Sequence, residues 1–229
     1  MWCCPVAAET PRTCWPISWG SPVSLWPWAQ HHGDMGQDLE GIEGGPGMTG
    51  RLLVASPALG DPSFARAVVL LLDHDEDGAL GVIINRPTPV GVDAVLPDWQ
   101  PFATAPGVLF QGGPVALDSA LGLAAVPSDG DEEPLGWRRL TGALGLVDLD
   151  TPPEILAAEM ADLRIFAGYA GWGAGQLEAE LAEDAWYVVP AEATDAFSPE
   201  PEGLWSSVLR RQGGDLAFLS TYPEDPTMN

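Results

Sequence analysis

Short blocks of apolar residues, separated by turn-forming residues, run along most of this chain and predict strands more often than helices. The apolar run at 66–73 is rich in valine and leucine and predicts a central strand buried on both faces. After a turn at 74–78, the run at 79–85 predicts its hairpin partner. Arg86-Pro87 and Pro89 are expected to end that strand. Shorter runs predict further strands at 52–55, 108–111, 121–126, 138–148 (one or two strands, broken at glycines), 163–167 and 186–189.

Three segments predict helices. The sequence T-P-P-E at 151–154 matches a capping box and predicts a helix that continues to Met160. A second helix is predicted at 176–182, and a third at about 201–211, ending at Gly213. Single helical turns are predicted after Asp61 and at 92–96. The apolar stripe predicted for the third helix consists of Leu204, Trp205, Val208 and Leu209.

Two regions of the chain differ in kind. Residues 1–47 show neither a 3.6-residue nor a 2-residue period, and they hold all three cysteines. We therefore interpret them as a disordered extension or as the product of a mis-assigned start, and residues 48–229 as one domain. In that domain many short strands and few helices follow one another without regular β–α alternation. This predicts an α+β fold with a curved, mixed, partly barrel-like sheet flanked by a few helices.

The charge balance limits the partners of this protein. Thirty-three acidic residues face nine basic ones, all of them arginine, for a formal charge of −24. Because nucleic-acid binders neutralise phosphates with lysine and arginine, this charge disfavours direct binding to DNA, RNA or anionic lipid and suits basic partners. Arg138–Arg139 and Arg210–Arg211 are the adjacent basic pairs. No apolar run approaches the length of a membrane span, and the absence of cysteine after Cys14 fits the cytoplasm.

Catalytic and metal-binding patterns are sparse. The D-x-D-x-D-G sequence at 73–78 resembles the start of an EF-hand loop, but its twelfth position is Ile84, which cannot bind calcium. His74 is the only histidine after residue 47, and neither G-x-S-x-G nor H-E-x-x-H occurs. We expect no metal and no cofactor, and a non-enzymatic role. A hydrolase-like enzyme that uses acidic residues near Arg86 and Gln111 is the alternative.

The glycine-rich stretch G-Y-A-G-W-G-A-G-Q-L at 168–177 is the most distinctive part of the sequence. It predicts a strand–loop–helix unit whose loop approaches a ligand closely, although its spacing is not that of a dinucleotide fingerprint. An arginine to pair an anion, rings to stack and amides to orient define a candidate ligand-binding face. Its members are Asn85, Arg86, Gln111, Gly112, Gly113, Gly168, Tyr169, Gly171, Trp172 and Gln176. In the competing interpretation the glycines serve turns, Trp172 fills the core and Arg86 pairs with an acid.

Several motifs together resemble the YqgE/AlgH family of bacterial proteins. They are G-R-L-L-V-A-S-P with D-P-S-F-A-R (50–66), D-H-D-E-D-G-A-L-G-V-I-I-N-R-P (73–87), V-L-P-D-W (95–99), F-Q-G-G-P-V (110–115), G-Y-A-G-W-G-A-G-Q-L-E-A-E (168–180) and L-W-S-S-V-L-R-R-Q-G-G (204–214). The resemblance implies a cytoplasmic α+β protein from a largely uncharacterised family without settled catalytic residues, whose name comes from a proposed role in transcriptional regulation. We therefore expect a regulatory or adaptor protein that binds a small ligand or a protein partner; if it affects transcription, we expect an indirect route through a protein. Direct DNA binding is a further alternative.

Overall fold

The computed structural model describes residues 47–127 and 133–223. Apart from Gly47, the predicted extension at 1–47 lies outside these residues. Within them, ten strands form one sheet. The strands are β1 (Arg51–Ala55), β2 (Val68–Asp75), β3 (Gly78–Ile83), β4 (Pro87–Gly91), β5 (Val108–Gln111), β6 (Val115–Ala125), β7 (Trp137–Thr141), β8 (Leu144–Val147), β9 (Asp162–Gly173) and β10 (Trp186–Pro190). The helices are α1 (Pro153–Leu156), α2 (Gln176–Ala182), α3 (Leu204–Gln212) and α4 (Gly214–Leu219), with 3-10 turns at Val92–Ala94, Pro97–Phe102, Asp195–Phe197 and Pro201–Gly203.

The sheet is mixed and curls into a half-barrel, which confirms the predicted α+β class. Its main path runs β10-β1-β2-β3-β9-β6-β8-β7, with antiparallel neighbours throughout. Strand β5 lies parallel to β9, and β4 pairs with β5. Strand β9 is therefore the centre of the sheet, because β3, β5 and β6 all pair with it.

Two apolar layers cover the opposite faces of the strands β1, β2 and β3. Leu52 and Val54 of β1 join the layer that packs against α3, whereas Leu53 and Ala55 join the layer under α2. Strand β2 is buried on both faces along 68–72, as its apolar run predicts. The predicted stripe of α3 is buried in the first layer. A third cluster contains Trp99, Trp137 and one face of β9.

A bulge at Gly168 changes which face each side chain of β9 occupies. Phe166 and Trp172 are six residues apart and would share a face in a regular strand. Phe166 instead packs in the α3 layer and Trp172 in the α2 layer. Gly168 has φ +71°, and the register between β6 and β9 shifts at this point. The bulge thus shifts the alternation by one residue, so that Tyr169 packs against the same layer as Phe166 and Trp172 lies in the opposite one.

Several local predictions were wrong. The capping box does not form: Thr151 donates its hydroxyl hydrogen to Asp148 (3.1 Å), Pro152 is the N-cap, and α1 ends at Leu156 instead of reaching Met160. Asp61 accepts the amide of Ser63 (2.7 Å) in a turn without a helix.

Other differences concern length and type. The glycine-rich stretch is strand as far as Gly173, not a loop, and α4 and the start of β6 were not anticipated. Gly145 lies inside β8, and prolines 87 and 89 fall in β4. Strand β4 tolerates the prolines because its pairing with β5 is irregular between Pro87 and Gly91.

Candidate functional site

The two glycine motifs meet where the chain crosses β9. Strand β5 lies on one side of β9 and β6 on the other, so residues 112–114 pass over β9 to connect them. Gly112 donates its amide hydrogen to Ala167 (2.9 Å), and its carbonyl accepts from Ile83 (2.7 Å). A Cβ on Gly113 would lie 2.1 Å from the backbone of Tyr169. The glycines here allow two backbones to touch, and we call this place the glycine crossing.

The segment that follows the crossing bends outward over Gly168. Val115 pairs with Tyr169 and Ala120 with Ala167, so four residues of β6 face the single residue Gly168. We call residues 115–120 the arch. A Cβ on Gly168 would lie 2.6 Å from the carbonyl oxygen of Val115, in a backbone conformation that already favours glycine. The side chains of Val115 and Leu117 are 39% and 56% exposed.

Asn85 and Arg86 stand beside the crossing, but their side chains face another loop. Asn85 is buried, accepts the amide of Val68 (2.9 Å) and donates to the carbonyl of Arg66 (2.9 Å). Arg86 donates to the carbonyls of residues 63 and 65. Burial lowers the pKa of its guanidinium, and the nearby Asp61 partly offsets this. The backbone of Arg86 meets the crossing directly, because its carbonyl accepts the amide of Gln111 (2.8 Å).

Trp172 and Gln176 belong to a hydrogen-bonded cluster that joins α2 to the end of β9. The Glu180 carboxylate accepts the indole hydrogens of Trp172 (2.9 Å) and Trp186 (2.8 Å). Gln176 donates to the same carboxylate (2.9 Å) and accepts the amide of Gly173 (3.1 Å). The Trp172 ring also stacks on Phe64 with 6.1 Å between centroids. The polar groups of both residues therefore have partners within the chain.

The ten predicted face residues thus fall into three places. Gln111, Gly112, Gly113, Gly168 and Tyr169 form the crossing, and exposed Gly171 follows on β9. Asn85 and Arg86 adjoin it through the backbone, and Trp172 and Gln176 lie with α2. Two cavities have other linings. One of about 580 Å³ is lined by residues 87, 88, 106, 108 and 199–203. The other, of about 290 Å³, is lined by residues 95–99 and 149–154. A ligand-binding role for the ten residues stays a prediction.

Arg164 is a buried arginine that is not among the predicted face residues. Arg164 is 1% exposed, and its Nη2 donates to the carbonyls of Ala105 (3.0 Å) and Ser198 (3.1 Å). Its guanidinium lies 4.1 Å from the centroid of the Phe110 ring. Burial lowers the pKa of Arg164 to about 10, partly offset by Asp162. Ala105 and Ser198 precede Pro106 and Pro199, which line a cavity of about 580 Å³, so Arg164 connects two segments of its lining. An arginine inside the apolar run at 163–166 was the available signal.

A second overlooked group is the pair of His74 and Glu178. Their Nε2 and Oε1 atoms are 2.8 Å apart, and the His74 side chain is almost fully buried. A backbone hydrogen bond at Glu178 lowers the pKa of its carboxyl, and His74 adds to the effect. In the described ranges, no three His, Cys, Asp or Glu side chains are grouped to hold a metal ion.

Each of the two basic pairs contains an arginine that interacts with other residues of the chain. Arg211 forms two 2.6 Å contacts with the buried carboxylate of Asp195 and lies 3.5 Å from Glu192, and these acids raise its pKa. Arg139 donates to the carbonyl of Gly142 (2.6 Å) and lies over the Trp137 ring. None of the helices in the described part of the chain has the length and apolar character needed to cross a membrane.

Comparison with known proteins places this architecture in a family. The AlgH-like family pattern matches residues 52–217. A UPF0301 protein of Streptomyces coelicolor is 66% identical over 184 residues, which cover 80% of this chain and 95% of that protein. A UPF0301 protein of Mycobacterium tuberculosis is 44% identical over 181 residues, or 79% of this chain and 90% of that protein.

Two solved structures agree with the fold. The crystal structure of protein DIP2367 from Corynebacterium diphtheriae has a TM-score of 0.73 at 34% identity and covers 80% of this chain and 95% of its own. The solution structure of the AlgH protein from Pseudomonas aeruginosa has a TM-score of 0.58 at 33% identity, covering 80% and 98%. The chain carrying the glycine crossing therefore belongs to the AlgH-like family, whose members include UPF0301 proteins.

Proposed function

We propose that this protein is a non-enzymatic regulatory protein that binds a protein partner at the glycine crossing and its arch. The observation that supports this is the pair of exposed apolar side chains, Val115 and Leu117, on a segment bent away from the sheet. Exposed apolar groups that lie together on a surface are typical of interaction sites. We place the protein in the cytoplasm, because the domain from residue 48 contains no cysteine.

A protein partner suits the crossing better than a small ligand does. The space beside Gly112, Gly113 and Gly168 is filled by the chain itself, since added Cβ atoms would overlap backbone atoms at 2.1–2.6 Å. In the described chain, β6 pairs with β8 only along residues 122–125. The arch, in contrast, lies beyond that pairing. A partner can therefore contact both its side chains and its backbone.

The second candidate function is the binding of a small ligand in the cavity of about 580 Å³, whose lining includes Pro87. Its volume lies in the range of ligand sites, and prolines 87, 106, 199 and 201 make its walls rigid. The lining residue Pro87 directly follows Arg86, a member of the predicted face, in the sequence.

Photocrosslinking in the native host tests the protein-partner proposal. A photoreactive amino acid replaces Leu117, and a matched one replaces Leu135, which is 72% exposed and lies outside the arch residues 115–120. We expect a specific adduct with one protein from position 117 and none from position 135. The purified partner should then bind the Leu117→Asp variant about tenfold more weakly than the parent protein. Equal adducts from both positions, or unchanged affinity, would contradict the proposal, and a salt-sensitive mobility shift with unrelated duplex DNA would favour direct DNA binding instead.

A further inference from the structure

The cavity of about 290 Å³ lies apart from the glycine crossing, between the turn at Pro97–Phe102 and residues 149–154. Its inner wall is firm: Trp99 is 2% exposed, and its indole donates to the carbonyl of Leu149 (3.1 Å), another lining residue. Pro97, Pro152 and Pro153 also line it. Proline restricts the backbone, so this cavity is formed before anything binds. We call it the Trp99 cavity.

Exposed apolar side chains stand at the edge of the Trp99 cavity. Val95 lines it and is 55% exposed. Ile155 directly follows the lining residue Glu154 and is 45% exposed. A side chain that enters the cavity would cover further apolar surface on these two residues, which is how a short anchor gains affinity in a small pocket.

The charge around the cavity has one sign. Asp98, Asp150 and Glu154 line it and are exposed, and no arginine is among the lining residues. Carboxylates at a rim attract arginine and lysine side chains and increase association rates. A second copy of this chain is a poor occupant, because nine arginines stand against 33 acidic residues and like charges repel.

We propose that the Trp99 cavity is a docking site for a basic amphipathic segment of a partner protein. An apolar side chain of the segment enters the cavity beside Trp99, and flanking arginine or lysine side chains pair with Asp98, Asp150 and Glu154. The site is independent of the glycine crossing and of the function proposed for it.

A titration with a synthetic amphipathic helix of leucine and arginine tests this proposal. The indole signal of Trp99 in an NMR spectrum of the full chain reports on the cavity, and its assignment comes from the Trp99→Phe variant. We expect this signal to shift with the leucine–arginine peptide and not with a matched leucine–glutamate peptide. A Trp99 signal that does not move would overturn the proposal.

Two triple variants separate the site from the net charge of the protein. Asp98→Asn, Asp150→Asn and Glu154→Gln together should weaken binding about tenfold, whereas the control triple should change it less than about twofold. The control replaces exposed carboxylates elsewhere by the same change in charge; it consists of Glu183→Gln, Glu202→Gln and Asp215→Asn. Val95→Ser, which leaves the charge unchanged, should also weaken binding. Equal losses in the two triples would mean that the peptide responds only to overall charge, and the proposal would fall.

Discussion

Replacing Gly113 by alanine should destabilise the protein severely, because the new methyl group has no space. It would lie 2.1 Å from both the carbonyl carbon and the oxygen of Tyr169 and 2.4 Å from the nitrogen of Ala170. Non-bonded heavy atoms prefer separations of about 3.5–4.0 Å. These are backbone atoms of the central strand, so no side chain can turn aside, and the two crossing segments must separate by roughly 1 Å or more.

The cost has two parts. Overpacking in a close-packed interior typically costs about 1–3 kcal/mol. Separation of the segments also strains the hydrogen bonds that Gly112 makes with Ala167 and Ile83, each worth about 0.5–1.5 kcal/mol net. The sum, about 4 kcal/mol, is a large share of the 5–15 kcal/mol by which domains are typically stable.

Two other glycines provide graded controls. A Cβ on Gly173 meets no atom within 4 Å, so Gly173→Ala should change stability by less than about 1 kcal/mol and can stabilise through the unfolded state. Gly168→Ala should fall between the two. Its left-handed backbone costs about 1–2 kcal/mol for alanine, and its 2.6 Å approach to the carbonyl of Val115 adds to that.

Urea unfolding followed by tryptophan fluorescence measures all three variants. The expected order of midpoints is Gly173→Ala highest, then Gly168→Ala, then Gly113→Ala. Failure of Gly113→Ala to yield folded protein, while Gly173→Ala folds normally, agrees with the same reasoning. Equal midpoints for Gly113→Ala and Gly173→Ala would refute it, and the motif would then have to be explained by what it binds.

Two carboxylates of α2, those of Glu178 and Glu180, give further predictions. Glu180→Ala leaves the indole hydrogens of Trp172 and Trp186 without their acceptor and should lower the free energy of unfolding by about 2–3 kcal/mol. The matched control Glu183→Ala, at an exposed position, should lower it by less than about 0.5 kcal/mol. Denaturant unfolding measures both variants, and equal losses would contradict the role of Glu180. Because the folded state lowers the pKa of Glu178, its contribution is present above the unfolded pKa of about 4.3 and is lost as pH falls through the folded pKa. The Tm difference between the parent protein and Glu178→Gln, measured from about pH 6 to pH 3, should therefore shrink at the acid end, and a constant difference would contradict this.

Patterns along the chain predicted the elements whose determinants are local. The valine- and leucine-rich run of β2 and the stripe of α3 carry their own signal of burial, and both are observed as expected. The capping box at 151–154 does not form, because Pro152 takes the N-cap position and the Thr151 side chain lies against Asp148, three residues earlier, to which its hydroxyl donates. Local propensity thus placed the start of α1 one residue too early, at Pro152 instead of Pro153, and its end too late.

The candidate face could be predicted only in part, because its glycines serve contacts between distant segments. The sequence identifies Gly113 and Gly168 as unusual, but only the topology places them against each other, since their partners come from the other motif. The sequence pattern cannot show that Gly168 shifts the alternation of β9 and that Trp172 therefore lies in the layer with α2. The sequence does not indicate the role of Glu180 either, because only the folded sheet and α2 bring its two indole partners, Trp172 and Trp186, together.

The central position of β9 has a consequence for synthesis of the chain on the ribosome. Without β9 the main path of the sheet separates into β10-β1-β2-β3 and β6-β8-β7. All of these strands except β10 are translated before β9. Until β9 emerges, β3 and β6 are therefore unpaired on the edge where β9 will bind. The glycine crossing forms only when residues 162–173 leave the exit tunnel, and we expect nascent chains that end before this segment to depend on chaperones.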